Sequence, residues 1–239
     1  MPKMEMNSSA IVIAIDGPSA SGKSSVARLV AEALGFLHVD TGSMYRTLTW
    51  KILKEGCDIG DTSKILHLIK GLCYECDFIE SERGPPQLRN RMDGVDPGSA
   101  IRTSQVEEFV SKIAAIPQVR QWLVQKQREL TRFGNLVVEG RDIGTVVFPE
   151  TPFKFYLDAD PQVRAQRRAT DQITAGVKPP VKIVGQAIAE RDRRDSTRTV
   201  APLKTADDAT RIDTSAYQAQ DVADLILKYI RSKYLAAKS

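Results

Sequence analysis

The residues with the clearest chemical meaning form one short segment: Gly17, Pro18, Ser19, Ala20, Ser21, Gly22, Lys23, Ser24 and Ser25. The segment has the pattern G-x-x-x-x-G-K-S between an apolar run and a helical pattern, which is the context of a phosphate-binding loop. Glycines let the backbone approach a phosphate closely, and successive N–H groups then converge on the anion. Lys23 would reach the β- and γ-phosphates, and the Ser24 hydroxyl would help to hold Mg²⁺. The segment therefore predicts a nucleoside triphosphate site; the alternative is a glycine-rich turn without a ligand.

A second chemical signal is the concentration of arginine in the last third of the chain. Two segments carry charged residues at helical spacing, so each set shares one helix face. The sets are Arg164, Arg167 and Arg168, and then Arg191, Asp195 and Arg198. With a flexible connector at 176–180 between them, these segments predict a lid that closes over phosphates. The alternative is an ordinary solvated helix with alternating charges.

Further polar and charged residues follow apolar strands, at the strand end where open α/β sheets bind ligands. They are Tyr45 with Arg46 after one strand, and Arg141 with Asp142 after another. Their placement predicts ligand contacts. The alternatives are an exposed arginine at a helix start and a surface ion pair on a tight loop.

The elements that must position these residues are short apolar strands separated by helices. The predicted strands are 11–15, 36–40, 136–138, 153–157 and 211–213, and they specify a parallel sheet covered by helices on both faces. The fold class is therefore α/β, a five-stranded sheet of the phosphate-loop NTPase type. We assign 1–41, 131–160 and 200–239 to the core, 42–130 to an acceptor-binding region with a β insertion at about 72–100 beside the main sheet, and 161–199 to the lid.

Composition narrows the class of protein. The chain has 239 residues, 42% of them hydrophobic and 27% charged, with a net charge of +4, as in an ordinary soluble globular protein. No apolar run is long enough to cross a bilayer and the first ten residues lack the apolar centre of a signal peptide, so we expect a cytoplasmic protein without a membrane partner. We also expect a monomer.

Cys73 and Cys76 could form half a zinc site, but buried or half-buried strand cysteines fit the spacing better.

The reaction class follows from what surrounds the phosphate loop. The D-x-x-G and N-K-x-D motifs of a GTPase and the H-R-D loop of a protein kinase are absent from the sequence. Arginine exceeds what ATP alone requires, which favours an acceptor that is itself a phosphate and needs no general base. A nucleic-acid-dependent ATPase would interleave aromatic and basic residues, yet 164–198 contains no Phe, Tyr or Trp, so we expect no nucleic-acid partner. A nucleotide-binding protein without turnover is a further alternative.

Four segments together resemble bacterial cytidylate kinases. They are G-P-S-A-S-G-K-S-S at 17–25, D-T-G-S-M-Y-R at 40–46, E-G-R-D-I-G-T-V-V-F-P at 139–149, and E-R-D-R-R-D-S-T-R with A-P-L at 190–203. The resemblance implies transfer of the ATP γ-phosphoryl group to CMP or dCMP with Mg²⁺. The alternatives are a kinase for UMP or another nucleoside monophosphate and, in a different class, a phosphate-loop ATPase that binds nucleic acid.

The resemblance also implies a role for each matching residue. The cytosine base would be read by Ser111, Arg120 and Asp142, since a carboxylate accepts from the amino group while Arg donates to O2 and N3. The CMP phosphate would be bound by Arg46, Arg141 and Arg198, with Thr41 and Tyr45 nearby, and the ribose by Arg191 and Asp195. The lid arginines over ATP would be Arg164 and Arg168. Catalytic roles would fall to Lys23, Arg141, Arg164, Arg168 and Arg198.

Overall fold

The structure, a computed structural model, describes residues 10–81, 84–174 and 179–236. Over these residues it contains a seven-stranded sheet with the strand order β3-β4-β2-β5-β1-β6-β7. The strands are β1 (Val12–Asp16), β2 (Leu37–Asp40), β3 (Tyr74–Ile79), β4 (Gln87–Met92), β5 (Leu136–Gly140), β6 (Phe153–Asp158) and β7 (Thr210–Asp213).

The five strands expected from the sequence form the parallel part of this sheet, in the order β2-β5-β1-β6-β7. β1 lies at its centre, and its alternate side chains enter two different apolar clusters. Ile13 and Ile15 face one cluster, whereas Val12 and Ala14 face the other. A strand buried on both faces has to be apolar throughout, which is why the sequence reads here as a continuous apolar run.

The β insertion differs from the expected arrangement. β3 and β4 pair antiparallel over their whole length, but they belong to the main sheet and do not form a separate unit beside it. A single parallel bridge, His38 to Gln87, connects β4 to β2. The sheet therefore has seven strands instead of five, because the edge of β2 offers unpaired backbone groups that the hairpin satisfies.

Helices cover both faces of the sheet. Over the described residues they are α1 (Lys23–Leu34), α2 (Thr41–Lys54), α3 (Thr62–Gly71), α4 (Ser104–Ala115), α5 (Pro117–Arg128), α6 (Pro161–Thr174), α7 (Val181–Thr197) and α8 (Ala219–Ala236). α1 and α8 pack on one face through residues such as Val26, Val30 and Ile226, and α2, α4 and α5 pack on the other through residues such as Leu48 and Leu123. None of the helices in the described ranges is both long and apolar enough to span a bilayer.

The start of α2 is fixed by the last residue of β2. The helix begins at Thr41, because the Asp40 side chain accepts a hydrogen bond from the backbone N–H of Ser43. An aspartate in this capping position satisfies a donor that the first helical turn leaves unpaired. One residue therefore ends β2 and starts α2, which sets Tyr45 and Arg46 one turn beyond the sheet edge.

The predictions for the connector and for the two cysteines can also be compared with the structure. The connector 176–180 lies mostly outside the described residues. The two cysteines differ: Cys76 is half-buried in β3, as a strand cysteine should be, whereas Cys73 is exposed and precedes that strand, so the strand interpretation is wrong for Cys73.

Candidate active site

A large cavity of about 780 Å³ lies at the carboxyl ends of the parallel strands. It is lined by residues from the phosphate loop, the start of α2, helices α4 and α5, the end of β5 and the pair α6–α7. Its lining includes most residues singled out in the sequence: Ser19, Ala20, Ser21, Gly22, Lys23, Ser24, Ser25, Thr41, Tyr45, Arg46, Ser111, Arg120, Arg141, Asp142, Arg168, Arg191, Asp195 and Arg198. Gly17, Pro18 and Arg164 are not among the lining residues. The structure thus brings Arg46, Arg141 and Arg198 to the same cavity as Lys23.

The phosphate loop has the backbone that its glycines permit. Gly17 has a φ of 149°, and a Cβ atom there would lie 2.0 Å from the carbonyl oxygen of Leu157. Gly22 has a φ of 89° and precedes the first residue of α1, so the loop ends at a helix N-terminus. N–H groups at such a terminus attract anions.

Lys23 is held inside the loop. Its Nζ donates to the carbonyl oxygen of Pro18 at 2.5 Å and lies 3.3 Å from Ser21 Oγ. Burial, assisted by the nearby Arg141, lowers the pKa of Lys23 from 10.5 to about 7. A phosphate beside this amine would favour the charged form and reverse that shift.

Beside Lys23, a buried carboxylate holds the Ser24 hydroxyl. Ser24 Oγ donates to Glu139 Oε2 at 2.7 Å, and His38 Nε2 lies 3.0 Å from Glu139 Oε1. Hydroxyl and carboxylate oxygens are the ligands that Mg²⁺ prefers. The part of the chain that the structure describes holds no cluster of three or more acidic, His or Cys metal ligands.

The turn after β5 carries the Arg141–Asp142 pair into the cavity. Gly140 allows this turn to pack tightly, because a Cβ atom there would lie 2.6 Å from Ile143 Cδ1 and 2.8 Å from Thr41 Oγ1. Thr41 Oγ1 donates to the carbonyl oxygen of Glu139 at 2.7 Å. This contact fixes the start of α2 to the end of β5.

Asp142 forms the centre of a buried charged cluster. Arg120 is 3% exposed; it donates to Asp142 Oδ2, and its guanidinium group lies 5.5 Å from the centre of the Tyr45 ring. Arg198 lies on the other side, 3.9 Å from Asp142 Oδ1 and 3.8 Å from Asp195 Oδ1. Burial raises the pKa of Tyr45 to about 12, so its hydroxyl stays protonated. The cluster presents one carboxylate between two guanidinium groups.

The cavity also holds buried arginine donors without a hydrogen-bond partner among the described residues. They are Arg46 Nε, Arg120 Nε, Arg191 Nε and Arg198 Nη2. Burial and the neighbouring Arg141 and Arg46 lower the pKa of Arg191 to about 10. Unsatisfied cationic donors crowded together in a buried site destabilise one another, and an anion between them would relieve this.

The three arginines of α6 contact different partners. Arg164 donates to the carbonyl oxygen of Ser19 at 3.2 Å and pairs with Asp192. Arg167 bonds Thr214, and Arg168 pairs with Glu107 of α4. The helical spacing predicts a shared face for these three side chains, but each of them contacts a different segment of the chain.

Three site residues escaped the sequence analysis: Asp16, Glu139 and Asp192. Asp192 accepts from the backbone N–H of Ser19 at 3.1 Å as well as from Arg164, and so ties α7 to the phosphate loop. Glu139 and Asp192 lie inside the segments E-G-R-D and E-R-D, so a search for carboxylates beside the recognised arginines would have found them. Asp16 directly precedes Gly17, and no local pattern distinguishes it.

Comparison with known proteins agrees with this geometry. The family model described as cytidylate kinase matches residues 13–232. The chain belongs to the cytidylate kinase family. It is 43% identical over 226 residues to the cytidylate kinase of Solibacter usitatus, covering 93% of each chain. The cytidylate kinase of Geobacillus sp. is 40% identical, with 93% of this chain and 97% of that one covered.

A third relative places the family in a larger protein. The bifunctional pantoate ligase/cytidylate kinase of Synechococcus elongatus is 41% identical over 95% of this chain, which spans 43% of that relative. As a member of the cytidylate kinase family, the protein is a kinase with a nucleotide-binding site. The expected α/β fold of the phosphate-loop type is confirmed.

Proposed function

We propose that this kinase transfers the γ-phosphoryl group of ATP to CMP and dCMP, giving ADP with CDP or dCDP. The observation that carries the proposal is the buried Asp142, set between Arg120 and Arg198 in the cavity that also contains Lys23. This carboxylate would accept from the amino group of cytosine, while Arg120 and Ser111 complete the contacts with the base.

ATP would occupy the phosphate loop at residues 17–25. The loop N–H groups would bind the β- and γ-phosphates, and Lys23 would move from Pro18 to the transferred group. Ser24 and Glu139 offer the oxygen donors that fit Mg²⁺, which when bound neutralises phosphate charge.

CMP would bind opposite, with its phosphate held by arginines from three different elements. Arg46 comes from α2, Arg141 from the turn after β5, and Arg198 from the end of α7. Arg46 Nε and Arg198 Nη2 are buried without a hydrogen-bond partner among the described residues, which supports this assignment. Arg191 and Asp195 would hold the ribose, and Thr41 and Tyr45 line the same wall.

The chemical step then needs alignment and charge neutralisation. A phosphate oxygen of CMP is already a nucleophile near neutral pH, so no general base is required. Arg141, Arg168 and Arg198 would stabilise the charge on the transferred group, as would Arg164 once released from Asp192. We also propose that the enzyme is a monomer. Its nucleotide substrates support a cytoplasmic location and no nucleic-acid or membrane partner.

ADP formation from ATP tests the proposal when CMP, dCMP, UMP, AMP, GMP or single-stranded DNA is added in turn. We expect strong stimulation by CMP and dCMP and little by the others. Equal stimulation by UMP would remove the base assignment, since a kinase for another nucleoside monophosphate is the nearest alternative. DNA-dependent turnover would remove the reaction class.

A further inference from the structure

Asp16 is a buried carboxylate that the proposed chemistry does not use. It ends β1, directly before the phosphate loop, and is 5% exposed. Its Oδ1 accepts from the backbone N–H of Ile143 and its Oδ2 from that of Gly144, both at 2.8 Å. The side chain therefore binds two successive N–H groups that lie more than 120 residues away along the chain.

These N–H groups belong to the first residues of a π-helical turn, Ile143–Val147. The first N–H groups of a helical turn have no partner inside it, so they need an acceptor from elsewhere. The residue that precedes this turn is Asp142, and aspartate at this position ordinarily bonds the N–H groups that follow it. Asp142 makes no such bond here.

The carboxylate of Asp142 is turned to the cavity instead. It accepts from Arg120 and lies 3.9 Å from Arg198. If Asp142 capped its own turn, its carboxylate would leave this cluster. Asp16 removes that competition because it already satisfies both N–H groups.

We propose that Asp16 is a positioning residue for base recognition, which holds the turn at Ile143 and Gly144 and thereby leaves Asp142 free to face the acceptor nucleotide. The inference rests on the proposed function, since it assigns Asp142 to the base. It also links the two substrate sites, because one side chain joins the strand before the phosphate loop to the turn that carries Arg141 and Asp142.

The ionised form of Asp16 is unfavourable for the folded protein. Burial raises its pKa from 3.8 to about 6; the two N–H bonds lower it, Asp142 raises it and Lys23 lowers it. A carboxylate that is costly to bury and whose hydrogen bonds, among the residues that the structure describes, go to these N–H groups serves positioning better than it serves stability.

Asp16→Asn tests the proposal, because the amide keeps the shape but presents its NH₂ group to one of the two N–H donors. We expect CMP affinity by calorimetry to fall at least 10-fold, ATP affinity to change by less than 3-fold, and the CMP to UMP ratio of kcat/KM to fall. The unfolding temperature should not fall. The matched control is Asp61→Asn, which makes the same carboxylate-to-amide change at the N-cap of α3, away from the cavity, and should leave both affinities unchanged.

Other outcomes would overturn the proposal. Unchanged CMP affinity would do so, and so would an equal loss of ATP and CMP affinity, which would place the effect on the phosphate loop. Asp16→Ser, with a small neutral acceptor, covers a failure of the Asn variant to fold. If neither variant folds, the carboxylate serves the fold and the proposal is wrong. Wild-type turnover with CMP decides the proposed function separately, because its absence refutes the function whatever the variants show.

Discussion

Asp142 allows the sharpest test of the site, through the substitution Asp142→Asn. This change removes one negative charge from a buried cluster that contains Arg120, Arg198 and Asp195. The side chain keeps its volume and one acceptor oxygen. The substitution therefore changes the chemistry at the base site with little change in shape.

The expected magnitude follows from the charge that is lost. A hydrogen bond to a charged group contributes about 1.5–3 kcal/mol and one to a neutral group about 0.5–1.5 kcal/mol, so the difference of about 1–1.5 kcal/mol corresponds to an affinity loss of roughly 5- to 10-fold for CMP. An amide can also donate to O4 of uracil where cytosine has its amino group, so the preference for CMP over UMP should fall. In the proposed arrangement ATP occupies the other end of the cavity, so its affinity should change by less than about 3-fold.

The assay is calorimetric titration with CMP, UMP and a non-hydrolysable ATP analogue, well below the unfolding temperature. Leaving Arg120 with a neutral partner should lower the free energy of unfolding by about 1–3 kcal/mol, so this is measured in parallel. The control is Asp77→Asn, which removes a carboxylate paired with Arg89 on the half-exposed β3–β4 hairpin. A larger loss of ATP affinity than of CMP affinity would show that Asp142 faces the other substrate. An unchanged base preference would show that it does not read the base.

Three further predictions concern other parts of the site. Gly140→Ala should lower the free energy of unfolding by about 1–3 kcal/mol in urea, because its Cβ would lie 2.6 Å from Ile143 Cδ1, whereas Gly71→Ala, with open space around it, should cost nothing. Since the pKa of Asp16 is raised from 3.8 to about 6, its stabilising contribution is present below pH 4 and is lost as the pH rises through 6. The stability of Asp16→Asn relative to wild type should thus increase by up to about 3 kcal/mol between pH 4 and 7, and a constant difference would contradict this. Because Lys23 has a pKa of about 7, ATP binding at pH 7 should take up about half a proton in wild type and none in Lys23→Met. Calorimetry in buffers of different ionisation enthalpy measures the proton uptake. Equal uptake by the two proteins would show that the proton binds to another group.

Much of the fold could be predicted because its signals are local. β1 is apolar from Val12 to Ile15 since both of its faces are buried, and the glycines of the phosphate loop appear together with the strand and helix that they connect. The predicted strand 153–157 corresponds to β6, Phe153–Asp158. Such features depend on residues that are neighbours in sequence.

The features that were missed depend on contacts across the chain. The hairpin joins the main sheet through His38 and Gln87, and no pattern in either segment specifies that partner. Helical spacing placed Arg164, Arg167 and Arg168 on one face, but their partners come from three distant segments. The role of Asp16 depends on backbone N–H groups, which carry no signature in the amino-acid sequence.

One helix, α7, carries neighbouring residues that contact different halves of the cavity. Asp192 bonds the backbone of Ser19 in the phosphate loop, while Asp195, one turn later, bonds Arg141 in the turn after β5 at 3.0 Å. A helix moves as a stiff rod over this distance. A shift of α7 along its axis would therefore move its contact with the phosphate loop and its contact with the turn after β5 together. Neither half of the cavity can lose its contact with α7 independently of the other.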